Sequence, residues 1–204
     1  LRDDHSAELS TEARRVVGVI HQGAERMGRL IEDLLDFSRL QRQSLRKQPL
    51  ESGDAARAAI EDLRGACAAR EVAFAVGAMP RAMGDWALLK QVFANLIGNA
   101  VKFTRERPQA KIEVGAREEA GGVTYFVKDN GIGFDPAMAG KLFNAFERLH
   151  GAEGYEGSGL GLGIVKMIVE RHGGRTWADA APEQGATFYF TLGSEAQARL
   201  TTAR

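Results

Sequence analysis

Asn95, Asn99 and Lys102 stand at intervals of four and three in the run Asn95-Leu96-Ile97-Gly98-Asn99-Ala100-Val101-Lys102-Phe103-Thr104. On a helix that spacing places two amides and an ammonium on one face. The opposite face is apolar, because Leu88, Leu89, Val92, Phe93, Leu96, Ile97, Ala100 and Val101 recur at helical intervals. A buried helix with one polar stripe faces a ligand. Amide oxygens and an ammonium suit a phosphate-bound Mg2+, a hard ion that takes oxygen ligands and keeps several waters.

A second cluster is Asp129-Asn130-Gly131-Ile132-Gly133-Phe134-Asp135, directly after a predicted strand. A carboxylate at a strand end can accept a hydrogen bond from an exocyclic amine such as adenine presents. Gly131 and Gly133 would let the backbone approach a flat base. Taken alone, a plain Asp-Asn-Gly turn explains the run equally well. A third cluster, Gly157-Ser158-Gly159-Leu160-Gly161-Leu162-Gly163-Ile164, opens a helix. Free N–H groups and the positive end of a helix dipole make such a segment an anion site. Six glycines between 151 and 163 suit a lid over a ligand. A flexible linker is the alternative, but a linker would not run straight into Leu160, Leu162, Ile164, Val165 and Ile168.

Several elements must position these groups. The Asn-bearing helix is expected over Trp86–Phe103, with Asp85 as its cap. Lys111–Arg117 and Val123–Lys128 read as strands joined at Gly121-Gly122, and Arg175–Asp179 with Ala186–Leu192 as a final strand pair. Val72–Val76 alternates like a strand, and Pro80–Met83 is a candidate for another. Asp54 is expected to cap a helix over Ala55–Arg70, a short helix should follow Pro136, and Gly161–His172 reads as a helix stopped by Gly173-Gly174. Pro49 marks a boundary beside an extended segment, Gln48–Glu51. Upstream, Thr11 to about Lys47 is free of proline and helical, with Ser10 as cap candidate after a loop. There Val17, Ile20, Ala24, Met27, Ile31 and Leu34 form an a/d seam, which Leu30, Leu35 and Phe37 broaden to a stripe suited to a bundle. No other segment offers a matching long helix, so self-association as a homodimer is expected. The arginines on its other faces read as a solvated surface, interspersed as they are with Glu25, Glu32, Asp33 and Asp36. The sum is one helical segment followed by an α+β domain whose strands are mostly antiparallel neighbours.

Bulk properties narrow the function. Lys plus Arg equals Asp plus Glu, 27 each, which argues against a nucleic-acid partner. Hydrophobic residues at 44% argue for a globular chain. Cys67, the sole cysteine, excludes a disulfide framework or a cysteine zinc site and reads as a small core residue. No apolar run approaches the ~20 residues of a membrane span, so no membrane contact is expected of this stretch. The start at Leu1 suggests a fragment. Trp86, Trp177, Phe143 and Phe146 are expected to pack, and His172 to act as a last-turn dipole partner.

The three clusters, in this order, resemble the sensor histidine kinases of two-component systems, whose ATP-binding fold is shared with gyrase, heat-shock-90 and mismatch-repair ATPases. Asn95–Thr104 resembles the N box, Asp129–Phe134 the first glycine box, Leu142–Arg148 the F box and Gly157–Gly163 the second glycine box. Gly185-Ala186-Thr187-Phe188 resembles the last glycine box. Arg26–Leu35, Phe146–His150 and Glu170–Gly174 are similar to the phytochrome-like branch. The resemblance implies a Bergerat-type α+β fold: a long helix of a dimeric bundle (1–47, second half of the dimerisation hairpin), then a two-layer α/β sandwich with a mixed sheet and helices on one face (48–193), and a tail (194–204). It implies ATP and Mg2+ as cofactors. Asn99 and Asn95 are implied as metal ligands, Lys102 and Arg148 as the phosphate-contacting catalytic residues, and Phe103 as a partner of the base or ribose. Asp129, with Gly131 and Gly133, is implied at the adenine, Gly157, Ser158, Gly159, Leu160, Gly161 and Leu162 at the phosphate tail, and Thr187 in the last box. Implied partners are a second copy and a response-regulator receiver domain, in a cytoplasmic setting.

The hydrolysing relatives carry a glutamate where Asn95 stands, and an amide cannot act as that base. Transfer to a protein is therefore favoured over hydrolysis. None of His5, His21, His150 and His172 sits in the His-acidic-apolar-basic-x-Pro-like box that accepts phosphate, so the acceptor is expected upstream of Leu1. Glu183 stands where the last box usually has glycine, a departure expected to alter a turn with little effect on nucleotide contact. The rivals are a serine kinase or ATPase of the same fold and a non-catalytic dimerising nucleotide-binding module.

Overall fold

A computed structural model describes residues 10–67, 70–119, 122–144, 147 and 159–193, and the chain divides into two units, Leu1–Arg42 and Gln43–Arg204. The first unit is one helix, α1 (Thr11–Arg42). Ser10 caps it, its Oγ accepting the Ala13 N–H at 3.1 Å. Val16, Val19, Ile20, Met27, Ile31, Leu34 and Leu35 are exposed along it, an uncovered apolar stripe in the single chain. The helix was expected to reach Lys47 and stops at Arg42 instead. The following backbone is used elsewhere in the second unit: Arg171 donates to the Gln43 carbonyl, and the Arg46 N–H to Asp85 Oδ2 at 3.2 Å.

The second unit runs β1 (Gln48–Glu51), α2 (Ser52–Arg64), β2 (Val72–Val76), β3 (Arg81–Gly84), α3 (Trp86–Phe103), β4 (Ala110–Glu119), β5 (Gly122–Asp129), α4 (Gly161–Arg171), β6 (Thr176–Ala180) and β7 (Ala186–Thr191). Five strands form a sheet in the order β2-β4-β5-β7-β6, parallel at β2–β4 and antiparallel elsewhere. β1 and β3 form a separate antiparallel pair. Alternation along β5 and β7 sends Tyr125, Val127, Asp129, Phe188 and Phe190 to the face covered by helices. There the Phe93 ring of α3 meets Tyr125 and Phe190 edge-on, at 6.5 and 5.5 Å between centroids. Tyr125 stacks on Phe190 at 5.0 Å. The buried Tyr125 hydroxyl lies 3.1 Å from Ser52 Oγ, which donates to the Pro80 carbonyl at 2.9 Å, so the start of α2 is tied to the sheet through a satisfied polar group. This is the expected α+β class: a mixed sheet with α2, α3 and α4 on one side.

Three local expectations are corrected. Asp54 does not cap the helix; α2 starts earlier, after Glu51, and Asp54 pairs within the first turn with Arg57 at 2.7 Å. The same helix ends at Arg64 rather than Arg70, tightening into a 3-10 turn at Gly65–Cys67. Trp86 is an exposed residue beside Lys90, not a core one, because it occupies the solvent side of the first turn of α3. Cys67 is buried as expected.

Candidate nucleotide-binding site

The site is built outward from α3. Asp85 caps it as expected, Oδ1 accepting from the N–H groups of Ala87 at 3.1 Å and Leu88 at 3.3 Å. One helical face is buried in the core through Leu88, Leu89, Val92, Phe93, Leu96 and Ile97, which fixes the rotation of the Asn stripe. Asn95 donates its Nδ2 to the Gln91 carbonyl at 2.9 Å, which turns Oδ1 outward as an acceptor with no partner among the described residues. That oxygen would lie 2.9 Å from a Cβ at position 161. Glycine at 161 therefore lets the amide oxygen and the first turn of α4 close on each other. Asn99 is one turn further along and half-buried. Lys102 Nζ lies 4.2 Å from the centroid of the Phe103 ring, joining these two predicted residues at the end of the helix.

Leu160 is fully buried at the entrance to α4, and its carbonyl accepts the Ile164 N–H at 2.8 Å. The first N–H groups of α4, including those of Gly161 and Leu162, have no intrahelical partner by construction. Gly159 precedes them at φ +78°, a backbone that favours glycine. Gly157, Ser158 and Arg148 lie outside the described residues, as do the lid segment around them, Phe146, His5 and His150. Phe143 packs edge-on against Phe188 at 6.3 Å, the anchoring role expected of it.

Asp129 closes the other end. It is 4% exposed, and Oδ1 accepts the N–H groups of Gly131 at 2.8 Å and Ala186 at 3.3 Å. Burial pushes its carboxyl up to about 6, against the opposing pull of those two N–H groups and the Arg107 charge. With Oδ1 committed to the backbone, the carboxyl has one oxygen left for a ligand amine. Gly131 and Gly133 have a reason the sequence did not show. A Cβ at 131 would meet the Phe103 carbonyl oxygen at 2.6 Å, and one at 133 would strike the Ala181 carbonyl. These glycines let the protein close on itself, end of α3 against loop against turn. Ile132 N–H donates to the Phe103 carbonyl at 3.2 Å across the same junction.

Thr187 stands apart from this cluster. β7 pairs Ala186 with Asp129 and Thr187 with Lys128, so alternation carries the Thr187 side chain on the sheet face away from Asp129. His172 is corrected. It is 1% exposed, Nδ1 lies 2.8 Å from the Ile168 carbonyl, and Nε2 accepts the Asp85 N–H at 3.0 Å. That arrangement needs the neutral imidazole, and burial holds the group below its ordinary value, so it is a neutral strut between α4 and α3 rather than a charged dipole partner. Sequence reading missed Arg70. Its guanidinium donates to the Thr104 carbonyl at 2.8 Å and to the Val101 carbonyl, covering the open end of α3 beside Lys102 and Phe103. It lies more than thirty residues from its partners, so no local spacing announces it.

Among the described residues no group of three or more His, Cys, Asp or Glu is placed to hold a metal. A divalent ion here would rest on amide oxygens and on the ligand's own phosphates, which is the donor set Mg2+ accepts. Asn95 and Phe103 are eight residues apart on α3, about 12 Å along its axis, the length scale of a nucleotide.

The chain is similar to known proteins in sequence and in fold. Residues 84–196 match the family described as histidine kinase-, DNA gyrase B- and HSP90-like ATPase, and residues 1–43 match the His Kinase A (phospho-acceptor) domain. Cyanobacterial phytochrome A of Nostoc sp. is 37% identical over 91% of this chain and 24% of its own length. Sensor protein kinase WalK of Staphylococcus epidermidis is 34% identical over 88% of this chain and 30% of its own. The chain thus spans about a quarter of the length of the curated relatives it matches. Among solved structures, the mycobacterial sensor histidine kinase MprB superposes with a TM-score of 0.63 at 27% identity, over 71% of this chain and 97% of that one. Full-length ShkA in complex with AMPPNP superposes with a TM-score of 0.69 at 27% identity, over 91% of this chain and 40% of that one. The chain belongs to the histidine kinase-, gyrase B- and HSP90-like ATPase family, as the ATP-binding domain of a sensor histidine kinase preceded by a segment that matches the His Kinase A (phospho-acceptor) domain.

Proposed function

We propose that this chain binds Mg-ATP between α3 and α4 and transfers its γ-phosphoryl group to a histidine of the dimerisation hairpin, for relay to an aspartate of a response-regulator receiver domain. The observation that carries this reading is the pair of opposed anchors on one helix. Asn95 Oδ1 and the first turn of α4 meet at one end, and the buried Asp129 beside Phe103 lies at the other. Asp129 would accept the adenine amine. Asn95 and Asn99 would hold Mg2+, Lys102 and Arg148 would meet phosphate oxygens, and the backbone from Gly157 to Leu162 would cradle the phosphate tail. Magnesium supplies charge neutralisation between the phosphates. Phosphoryl transfer asks the protein for position and charge more than for covalent work. An amide at 95 orients but cannot take a proton from water, so hydrolysis lacks its base. α1 would pair with a second copy through its exposed stripe, in a cytoplasmic setting, and no described helix is long and apolar enough to cross a membrane.

Calorimetry with Mg-ATP tests the reading. The wild-type chain should give heat at millimolar nucleotide or below. Asn99→Asp, which adds an anion beside the phosphates, should weaken Mg-ATP binding roughly tenfold or more, equivalent to about 1.4 kcal/mol. Unchanged affinity and transfer rate in that variant would count against the metal assignment, and no heat in the wild type would remove the reading altogether.

A further inference from the structure

Arg107 follows the turn that ends α3, where its N–H donates to the Thr104 carbonyl at 3.0 Å. Its side chain reaches two segments distant in sequence. Nη2 lies 2.9 Å from the Gly131 carbonyl oxygen, 2.9 Å from the Glu183 carbonyl oxygen and 2.8 Å from the Glu183 carboxylate. Nε is buried and has no hydrogen-bond partner among the described residues, so this end of the guanidinium is pressed into the wall. Glu183 adopts φ +62°, a left-handed backbone that an L side chain rarely takes, and its N–H donates to the Ile132 carbonyl at 2.7 Å. The same Gly131 whose carbonyl Arg107 grips gives its N–H to Asp129 Oδ1.

We infer that Arg107 is a positioning residue for the base end of the site, tying the end of α3 to Gly131 and to the Glu183 turn so that the Asp129 carboxylate is set for a base's exocyclic amine. This rests on the functional reading above, which places the base at Asp129. Arg107 acts through Asp129 and the loop and touches no ligand itself. Its ion pair with Glu183 is not the source of the effect, because Glu183 is 73% exposed and water screens the pair. The cation also works on the carboxyl directly. The neighbours of Asp129 across the sheet, Ile112 and Ala186, are apolar, and Arg107 is the charged group acting on it among the described residues.

The Gly131 amide reports the carboxyl it binds, so its proton and nitrogen shifts, followed by NMR in the full 204-residue chain without nucleotide, trace the Asp129 titration. The wild-type midpoint should fall at about 6. Arg107→Ala should raise it by roughly half a unit or more, and Arg107→Lys, which keeps the charge, should return it most of the way. Should Ala unfold the turn, Arg107→Gln removes the charge while keeping a polar head and should shift the midpoint upward likewise. Glu183→Gln, which removes the surface ion pair alone, should not raise it. The pH below which adenosine binding weakens should move with the Gly131 midpoint in each variant. A midpoint unmoved by loss of the Arg107 charge would overturn the inference, as would Glu183→Gln raising it as far as Arg107→Ala. Adenosine failing to bind the wild type at any pH, with the Gly131 shifts behaving as expected, would instead sink the functional reading.

Discussion

A buried carboxylate that must stay charged to accept a base's amine, the role proposed for Asp129, works against the fold that carries it. Asp129 has its carboxyl raised from 3.8 to about 6, chiefly by burial. The folded state therefore prefers the protonated acid. The stability this lends is fully present below pH ~4 and is lost as pH rises through about 6. At pH 7.5 ionised Asp129 costs on the order of 3 kcal/mol before discounting for residual solvation. Asp129→Asn keeps an oxygen for the Gly131 and Ala186 N–H groups and removes the charge. It should stabilise the free chain at pH 7.5 by on the order of 1–2 kcal/mol and lose that advantage by pH 4. Adenine-nucleotide affinity should fall at least roughly tenfold, because an amide NH2 then faces the exocyclic amine. Urea unfolding at the two pH values, beside nucleotide titration, checks both halves, and a variant no more stable than wild type at pH 7.5 would show that the site carries no such strain. Asp129 was legible in the sequence because a carboxylate between a strand and two glycines is a local pattern. The face that Thr187 occupies was not legible, because it depends on the β5–β7 register, and a shift of one residue reverses the face.

At the scale of elements, α3 was readable to the residue. Its cap, its apolar stripe and its polar face are all spaced by the helix itself, Trp86–Phe103. The ends of α1 and α2 were not, since they are decided by partners far along the chain, such as Asp85 and Arg171 receiving the segment after α1. Glycines divide in the same way. Gly133 sits at φ +65°, and a Cβ there would enter the Ala181 carbonyl. Gly98 lies inside α3, and a Cβ there would meet nothing within 4 Å. The first is required by the closing of the loop on the turn, while the second only loosens the helix. Gly133→Ala should therefore destabilise by about 2 kcal/mol or more, and Gly98→Ala should stabilise by about 0.5–1 kcal/mol. Thermal melts of the two variants decide it, and equal effects would mean that the loop can move away from its neighbour.

At the scale of the molecule, the exposed stripe of α1 and the expectation that none of the four histidines is the acceptor belong to one argument. Seven large apolar side chains along α1 are open to water in the single chain, more than a stable isolated helix would leave uncovered. Pairing with a second copy is the economical cover, and Ile31→Glu should convert a dimer to a monomer in sedimentation while leaving nucleotide affinity within twofold. The proposed nucleotide site draws on α3, α4 and the loops around Asp129, all in the second unit, so it should function without the acceptor on the same polypeptide. His21 is exposed on α1 and paired with Glu25 at 3.1 Å, in a sequence without the acidic and proline positions of an acceptor box. The chain of residues 1–204 incubated with γ-labelled ATP should therefore remain unlabelled, yet should label a separately supplied helical hairpin that carries such a box. Label appearing on His5 or His21 would place the acceptor within these residues. Label on neither the chain nor the hairpin, despite bound nucleotide, would favour the non-catalytic module. The two outcomes separate because, on the proposed reading, binding depends on the α3–α4 pocket alone, whereas transfer also needs an acceptor imidazole to reach the γ-phosphoryl group.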